Sequence, residues 1–303
     1  MYTIELGKSG LHVPTVAVGC MRISSMSEKE MCNFLDTAID AGANFFDHAD
    51  IYGGGASEEV FAKALKKHRR DDVIIQTKCG IRPGFFDFSY EHIVSSVEGS
   101  LRRLGTDRID VLLLHRPDTL MEPEEVARAF DHLKSSGKVL HFGVSNQNPY
   151  QMELLSKYLS VPIVANQLQF GIMHSSMIQS GFNVNMYNDS AKVRDGGVLD
   201  YCRLNDITIQ PWSPLQYGFF EGCFIDCDKF PELNGVMDSL CEKYGCTKTA
   251  LAFAWILRHP AKMQPVTGTT KTDRLTECIK GADISLSRED WYAIYRAAGN
   301  ILP

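Results

Sequence analysis

Eight short apolar runs, each followed by a stretch with helical spacing, recur along the 303-residue chain, and this alternation restricts the fold more than any other feature. The runs cover residues 15–19, 44–48, 73–78, 110–115, 141–145, 163–169, 207–212 and 264–268. Several are close to continuously apolar, as "VLLL" at 111–114 is. Parallel strands covered on both faces have that pattern; half-exposed antiparallel strands alternate instead. The intervening stretches read as helices. Ser27 followed by Glu30 predicts a capping box, and Ser57 with Glu58 and Glu59 predicts a cap with an acidic first turn. Ile93, Val97, Leu101 and Leu104 recur on one helical face. Eight strand–helix units in a chain of this length predict an α/β fold, a (β/α)8 TIM barrel. Ahead of it, residues 3–6 and 11–13, joined at 7–10, predict a β-hairpin. No linker or low-complexity segment divides the chain, so residues 1–303 are expected to form one barrel domain.

Charge and cysteine usage narrow the partners. A formal net charge of −6 and the absence of a dense basic run argue against nucleic acid. The longest apolar runs are far too short to span a bilayer, so no membrane partner is expected. Nine scattered cysteines, with no basic start followed by a hydrophobic amino-terminal stretch, predict a reduced, cytoplasmic setting. A small molecule is the expected partner, and the oligomeric state is left open.

In such a barrel, the strand ends and the loops after them form the active face. Four ionisable groups converge there. Asp47 ends the second run and Tyr52 lies in the loop beyond it, within "FFDHADIYGGGASEEVF" (45–61); Lys78 ends the third run and His115 the fourth. A phenol with an ordinary pKa of about 10 is a poor acid at neutral pH, but a nearby ammonium lowers that value. Lys78 is placed to supply the ammonium, Asp47 to keep it charged, and His115 to donate a hydrogen bond to a substrate oxygen. The set fits protonation of a carbonyl oxygen while hydride reaches the carbon. A metal held by His48, Asp50 and His115 is the competing reading, but it leaves Tyr52 and Lys78 without a role. Cys223 and Cys227 lack the two further ligands a zinc site needs, and no metal is expected. Phe85, Phe86, Phe88, Tyr217, Phe219 and Phe220 follow the third and seventh runs and are expected to line an apolar mouth.

The chain resembles the aldo-keto reductase family over nearly its whole length. The resemblance is carried by "FFDHADIYGGGASE" (45–58), "IIQTKCG" (74–80), "RIDVLLLHRPD" (108–118), "GVSN" (143–146), "NQLQF" (166–170), "PWSPL" (211–215) and "GTTKTDRLTE" (268–277). It implies a hairpin closing the barrel floor and an NADPH (NADP+) cofactor bound in an extended pose without a Rossmann fingerprint. It implies Tyr52 as general acid, Lys78 and Asp47 as the groups that tune it, and His115 as the residue that orients the carbonyl. Ser145, Asn146 and Gln167 match positions that hold the nicotinamide carboxamide. Trp212 matches an aromatic stacked on the nicotinamide, with Ser213 and Leu215 beside it. Gly268, Thr269, Thr270, Arg274 and Glu277 match the loop and helix start around the adenosine phosphate, where backbone donors favour an anion. Gly268 stands where many members carry Lys, and Cys278 where many carry Asn. The polar segment 175–198 is similar to that of the bacterial oxidoreductase-like branch. The implied activity is NADP-dependent reduction of an aldehyde or ketone to an alcohol. A cofactor-sensing regulatory subunit of the same fold is the alternative.

Overall fold

The protein is described by a computed structural model over residues 2–303. Eight parallel strands, numbered here along the barrel, are β1 (Ala17–Gly19), β2 (Phe45–Asp47), β3 (Ile74–Cys79), β4 (Ile109–Leu114), β5 (Val139–Ser145), β6 (Ile163–Gln169), β7 (Thr208–Trp212) and β8 (Val266–Thr267). From β2 to β7 each strand pairs with its predecessor, and β8 pairs with β1 in the register Val266 with Ala17. The seam between β7 and β8 is drawn together by Gln264 N–H donating to the Ile209 carbonyl at 2.9 Å. Among the described residues eleven α-helices surround the strands: α1 (Glu28–Asp40), α2 (Ala56–Leu65), α3 (Tyr90–Leu104), α4 (Pro123–Ser135), α5 (Pro149–Ser156), α6 (Ser176–Phe182), α7 (Val198–Leu204), α8 (Pro231–Tyr244), α9 (Lys248–Leu257), α10 (Thr272–Lys280) and α11 (Arg288–Ala297). This is the (β/α)8 arrangement. No helix among the described residues is long and apolar enough to cross a membrane.

The strands are mostly apolar because both faces are covered, and the two faces pack on different things. On β4, Leu112 and Leu114 join the helices in the outer core, whereas Val111 and Leu113 point into the barrel. On α3, Ile93, Val97, Leu101 and Leu104 are all buried, as their spacing predicts. The capping box at Ser27 and Glu30 forms in full. The Ser57 cap does not. Helix α2 begins at Ala56, because Gly55 takes the left-handed conformation at φ 98° and starts the helix early. Ser57 then falls inside the first turn with a buried hydroxyl that has no partner. Glu58 is fully buried and pairs with Arg103 at 2.7 Å.

The strand ends expected from sequence shift by up to two residues at most positions. Residues 15 and 16 precede β1, where Thr15 N–H donates to the Tyr2 carbonyl beside the hairpin. That hairpin, Thr3–Glu5 against His12–Pro14, closes the barrel floor. Leu6 and Val13 plug it from below, packing with Phe45, Val111, Leu113 and Val164.

Gly7, at the hairpin turn, has φ +57°, and a Cβ there would stand 2.4 Å from the Val164 carbonyl oxygen. Its N–H donates to Thr208 Oγ1 on β7 at 2.8 Å. Gly7→Ala therefore meets both backbone strain and a clash with β6. It should lower unfolding stability by about 1–3 kcal/mol. A denaturant midpoint equal to that of the wild type would show that the hairpin is not seated firmly on the floor.

Candidate active site

The upper layer of the barrel interior is polar. Asp47 on β2, Gln76 and Lys78 on β3, Gln167 on β6 and Gln210 on β7 all point inward, and all are buried. Lys78 is wholly enclosed and spends its three donors on Asp47 at 2.8 Å, the His48 carbonyl at 2.7 Å and Tyr52 Oη at 3.1 Å. The second carboxylate oxygen of Asp47 accepts from Gln76 at 2.6 Å and from Gln167 at 3.1 Å. Gln76 and Gln210 exchange side-chain hydrogen bonds, Gln210 donates to Gln264 at 2.8 Å, and Gln264 donates to the Pro14 carbonyl at 2.7 Å. A continuous column thus joins the rim to the floor. A lone Gln inside an apolar strand carries no recognisable pattern, so this column is invisible in the sequence.

Tyr52 reaches Lys78 because of the turn it starts. Gly53 and Gly54 take φ 59° and 65°, conformations an L side chain rarely adopts, and fold the chain back within Tyr52–Gly55. The phenol comes to rest at the barrel mouth, edge-on to the His115 ring at 5.9 Å. The four predicted residues are therefore brought together.

Their electrostatics differ in one respect from the sequence expectation. Burial pushes the Tyr52 phenol above its ordinary value, and the pull of Lys78 in the opposite direction does not overcome it. Burial alone would lower Lys78, but Asp47, and then Tyr52, outweigh it and hold the ammonium charged. His115 is held well below its ordinary value by burial, then by Lys78 and Arg116. It is neutral at physiological pH. Its Nδ1 is buried without a partner, which leaves Nε2 as the nitrogen on the open side.

A cleft of about 420 Å³ opens above these groups and runs across the mouth. Asp47, Tyr52 and His115 border it, with Ser145, Asn146, Gln167, Trp212, Ser213 and Leu215 along the middle and Gly268, Thr269, Thr270 and Arg274 at the far end. Glu277 is the exception among the predicted residues: it lies on α10, half-buried and outside the cleft, whereas Cys278 one position later borders it. Lys78 sits beneath the cleft and acts on it through Tyr52. The middle residues are joined to one another. Asn146 donates to Ser145 Oγ at 2.7 Å and accepts from Trp212 Nε1 at 3.1 Å, and Ser145 Oγ donates to the Gln167 carbonyl.

Several cleft residues were not singled out by sequence reasoning. Met21 and Arg22 come from the loop after β1, and Arg116 follows His115. Of the aromatics expected at the mouth, Phe220 borders the cleft and stacks on Trp212 at 6.1 Å. The other aromatics divide: Phe88 is core, and the exposed Phe85 and Phe86 pair with Ile81 and Arg82 in a small hairpin off β3 that borders the cleft through Ile81 and not through either phenylalanine. His48 is buried against Phe61 at 4.6 Å with both ring nitrogens unpartnered, and burial takes its pKa down to about 3. Its place on the outer side of β2 separates it from His115. All nine cysteines are free thiols.

The profile of the aldo/keto reductase family matches residues 15–298. An uncharacterized oxidoreductase of Bacillus subtilis, YcsN, is 35% identical, with 98% of each chain covered. A 6-dehydroglucose reductase of Agrobacterium fabrum is 32% identical, with 95% of each covered. Among solved structures, a thermostable aldo-keto reductase in complex with the inhibitor epalrestat superposes with a TM-score of 0.80 at 27% identity, over 98% of this chain and 100% of that one. With a (β/α)8 barrel and a profile match over nearly its whole length, the chain belongs to the aldo/keto reductase family.

Proposed function

We propose that this protein is an NADPH-dependent oxidoreductase that reduces an aldehyde or ketone to the alcohol, working in the cytoplasm with Tyr52 as proton donor. The observation that carries this reading is the hydrogen-bonded line from Asp47 through Lys78 to Tyr52, buried at one end and open to the cleft at the other.

The cleft's donor set fits a dinucleotide. Thr267 Oγ1 and Gln216 Oε1 are buried polar atoms without partners, and both residues border the cleft. At the far end, α10 is preceded by Lys271 with no side-chain cap, so the amides of Thr272 and Asp273 are available to an anion, while the Arg274 amide donates to Asp273 Oδ1 at 2.8 Å. Lys271 and Arg274 stand exposed beside them. Ser145, Asn146 and Gln167 would hold the carboxamide, with Trp212 against the ring. When bound, the reduced nicotinamide supplies the hydride for the carbonyl carbon.

The chain's own residues then handle the proton. Tyr52, kept protonated by burial, gives its proton to the carbonyl oxygen. Lys78, in direct contact with the phenol oxygen, stabilises the negative charge left behind. Asp47 holds the ammonium in place and is itself fixed by two glutamine amides. Neutral His115 donates from Nε2 to the same oxygen and orients it, without becoming a competing acid.

Three measurements test this reading. Tyr52→Phe should retain NADPH binding and the fold but reduce aldehydes about 10² to 10⁴ times more slowly, the usual worth of general acid catalysis; a rate near that of the wild type would remove Tyr52 from the role.

The pH dependence follows from the signs above. His115, lowered, stays neutral on acidification until well below its ordinary 6.5, and Tyr52, raised, stays protonated to beyond 10.0. With saturating NADPH, kcat/KM for reduction should be level between those two values. An inflection inside the interval would assign the proton to another group.

At the cofactor's far end, Arg274→Ala should weaken NADPH by roughly 10- to 100-fold, the worth of one charge-assisted contact, and NADH far less. Equal losses in the two dissociation constants would show that this arginine does not read the 2′-phosphate.

A further inference from the structure

We infer that Arg116 is the anion anchor of the substrate site, so that the carbonyl compound this protein acts on carries a carboxylate or phosphate group. That group would bind the guanidinium while the carbonyl oxygen meets Tyr52 and His115. The inference rests on the reductase reading above.

Arg116 follows His115 directly, at the end of β4, and is half-buried. Its guanidinium lies over the Trp212 ring, 5.6 Å from the centroid. No carboxylate among the described residues pairs with it. Burial pulls its pKa down, and the lesser, opposite influence comes from the neighbouring Tyr52. The other cations bordering the cleft stand apart from it in character: Arg22, Lys271 and Arg274 are exposed, and Arg22 reaches the Gly268 carbonyl at the far end. The catalytic end therefore holds one part-desolvated, uncompensated cation beside the reacting groups. Withdrawing a charge from water without a partner is unfavourable, and a ligand that brings the opposite charge recovers the loss. The planar fork suits carboxylate and phosphate, and stacking on Trp212 holds that plane ready.

There is also space for the tail of such a molecule. A second hollow of about 360 Å³ shares Arg116, Asn146 and Trp212 with the main cleft. Gln147 borders it with a buried, unpartnered Oε1. Two other charges line this hollow and are already engaged. Arg194 pairs with Asp189, and Asp195 accepts from the Gly197 N–H at 2.9 Å. Arg116 stands at the junction of the two spaces.

The test compares matched aldehydes with NADPH: 4-carboxybenzaldehyde against methyl 4-formylbenzoate, and glyceraldehyde 3-phosphate against glyceraldehyde. The wild type should prefer the anionic member of at least one pair by roughly 10- to 100-fold in kcat/KM, mainly through KM. The pair that responds tells carboxylate from phosphate. In Arg116→Gln that preference should collapse towards one, and Arg116→Lys should restore part of it. Dissociation constants for NADPH separate a substrate role from a cofactor role, and a parallel loss in NADPH binding would overturn the inference. So would a wild type that treats both members of both pairs alike. Calorimetry with 4-(hydroxymethyl)benzoate and with glycerol 3-phosphate, each with its uncharged counterpart, needs no turnover. If no aldehyde is reduced, Arg116-dependent binding of either anion sustains the anion site while the reductase reading fails; absence of such binding overturns the anion site as well.

Discussion

Lys78 and Asp47 form an ion pair 2.8 Å long inside the barrel, with side-chain exposures of 0% and 4%. Two charges withdrawn this far from water cost several kcal/mol each, and their mutual attraction offsets the cost only if every remaining donor and acceptor is met. Here they are met: the ammonium has three acceptors, and the carboxylate has Lys78, Gln76 and Gln167. The requirement spreads outward. Gln76 needs Gln210, Gln210 needs Gln264, and Gln264 ends on the hairpin beneath the floor. A packed apolar layer in the same space would stabilise the barrel at least as well. The polar column is thus explained by what it presents at the rim, a lysine ammonium held against a tyrosine.

The rest of the mouth is arranged around that ammonium. Burial and the nearby cations keep His115 neutral, and burial keeps the Tyr52 phenol protonated, so two groups of quite different ordinary acidity rest in their neutral forms side by side. A neutral donor pair facing an open cleft polarises a bound oxygen without presenting a full charge to it. In the proposed reaction Lys78, behind the phenol oxygen, would offset the charge left once a proton has departed. The cation that does face the open space is Arg116, and it is held by the Trp212 face in place of a carboxylate.

The opposite end of the cleft is built on other terms. Thr269, Thr270, Lys271 and Arg274 come from a loop and an uncapped helix start, where orientation comes from backbone amides and exposed cations. An anion held there by backbone amides would depend little on the residues at 268 and 278, because amide donors remain whatever the side chain. Around Asp47 and Lys78 the side chains have no such freedom, since each donor is matched to an acceptor.

Much of this was legible in the chain itself. Period and run length are local properties, so the eight strands, the amphipathic α3 and the capping box at Ser27 follow from neighbours a few residues apart. Strand ends are local too, which is why Asp47, Tyr52, Lys78 and His115 were recognisable as a rim set and why the residues from Ser145 to Arg274 could be expected at the mouth, where they border the cleft. Other features needed the fold. Ser57 reads as a cap but is displaced by a left-handed Gly55, and Glu277 fits the motif but faces away from the cleft. The glutamine column joins β3, β7 and the residue just before β8, and no spacing announces it. Whether Lys78 or burial governs Tyr52 depends on how much water reaches the phenol, a property of the closed barrel. Arg116 looks like any strand-end arginine until the surrounding carboxylates prove to be elsewhere. Sequence determines what can be decided by adjacency along the chain; solvent exclusion and the pairing of charges are summed over all directions in space, and the tertiary structure decided those.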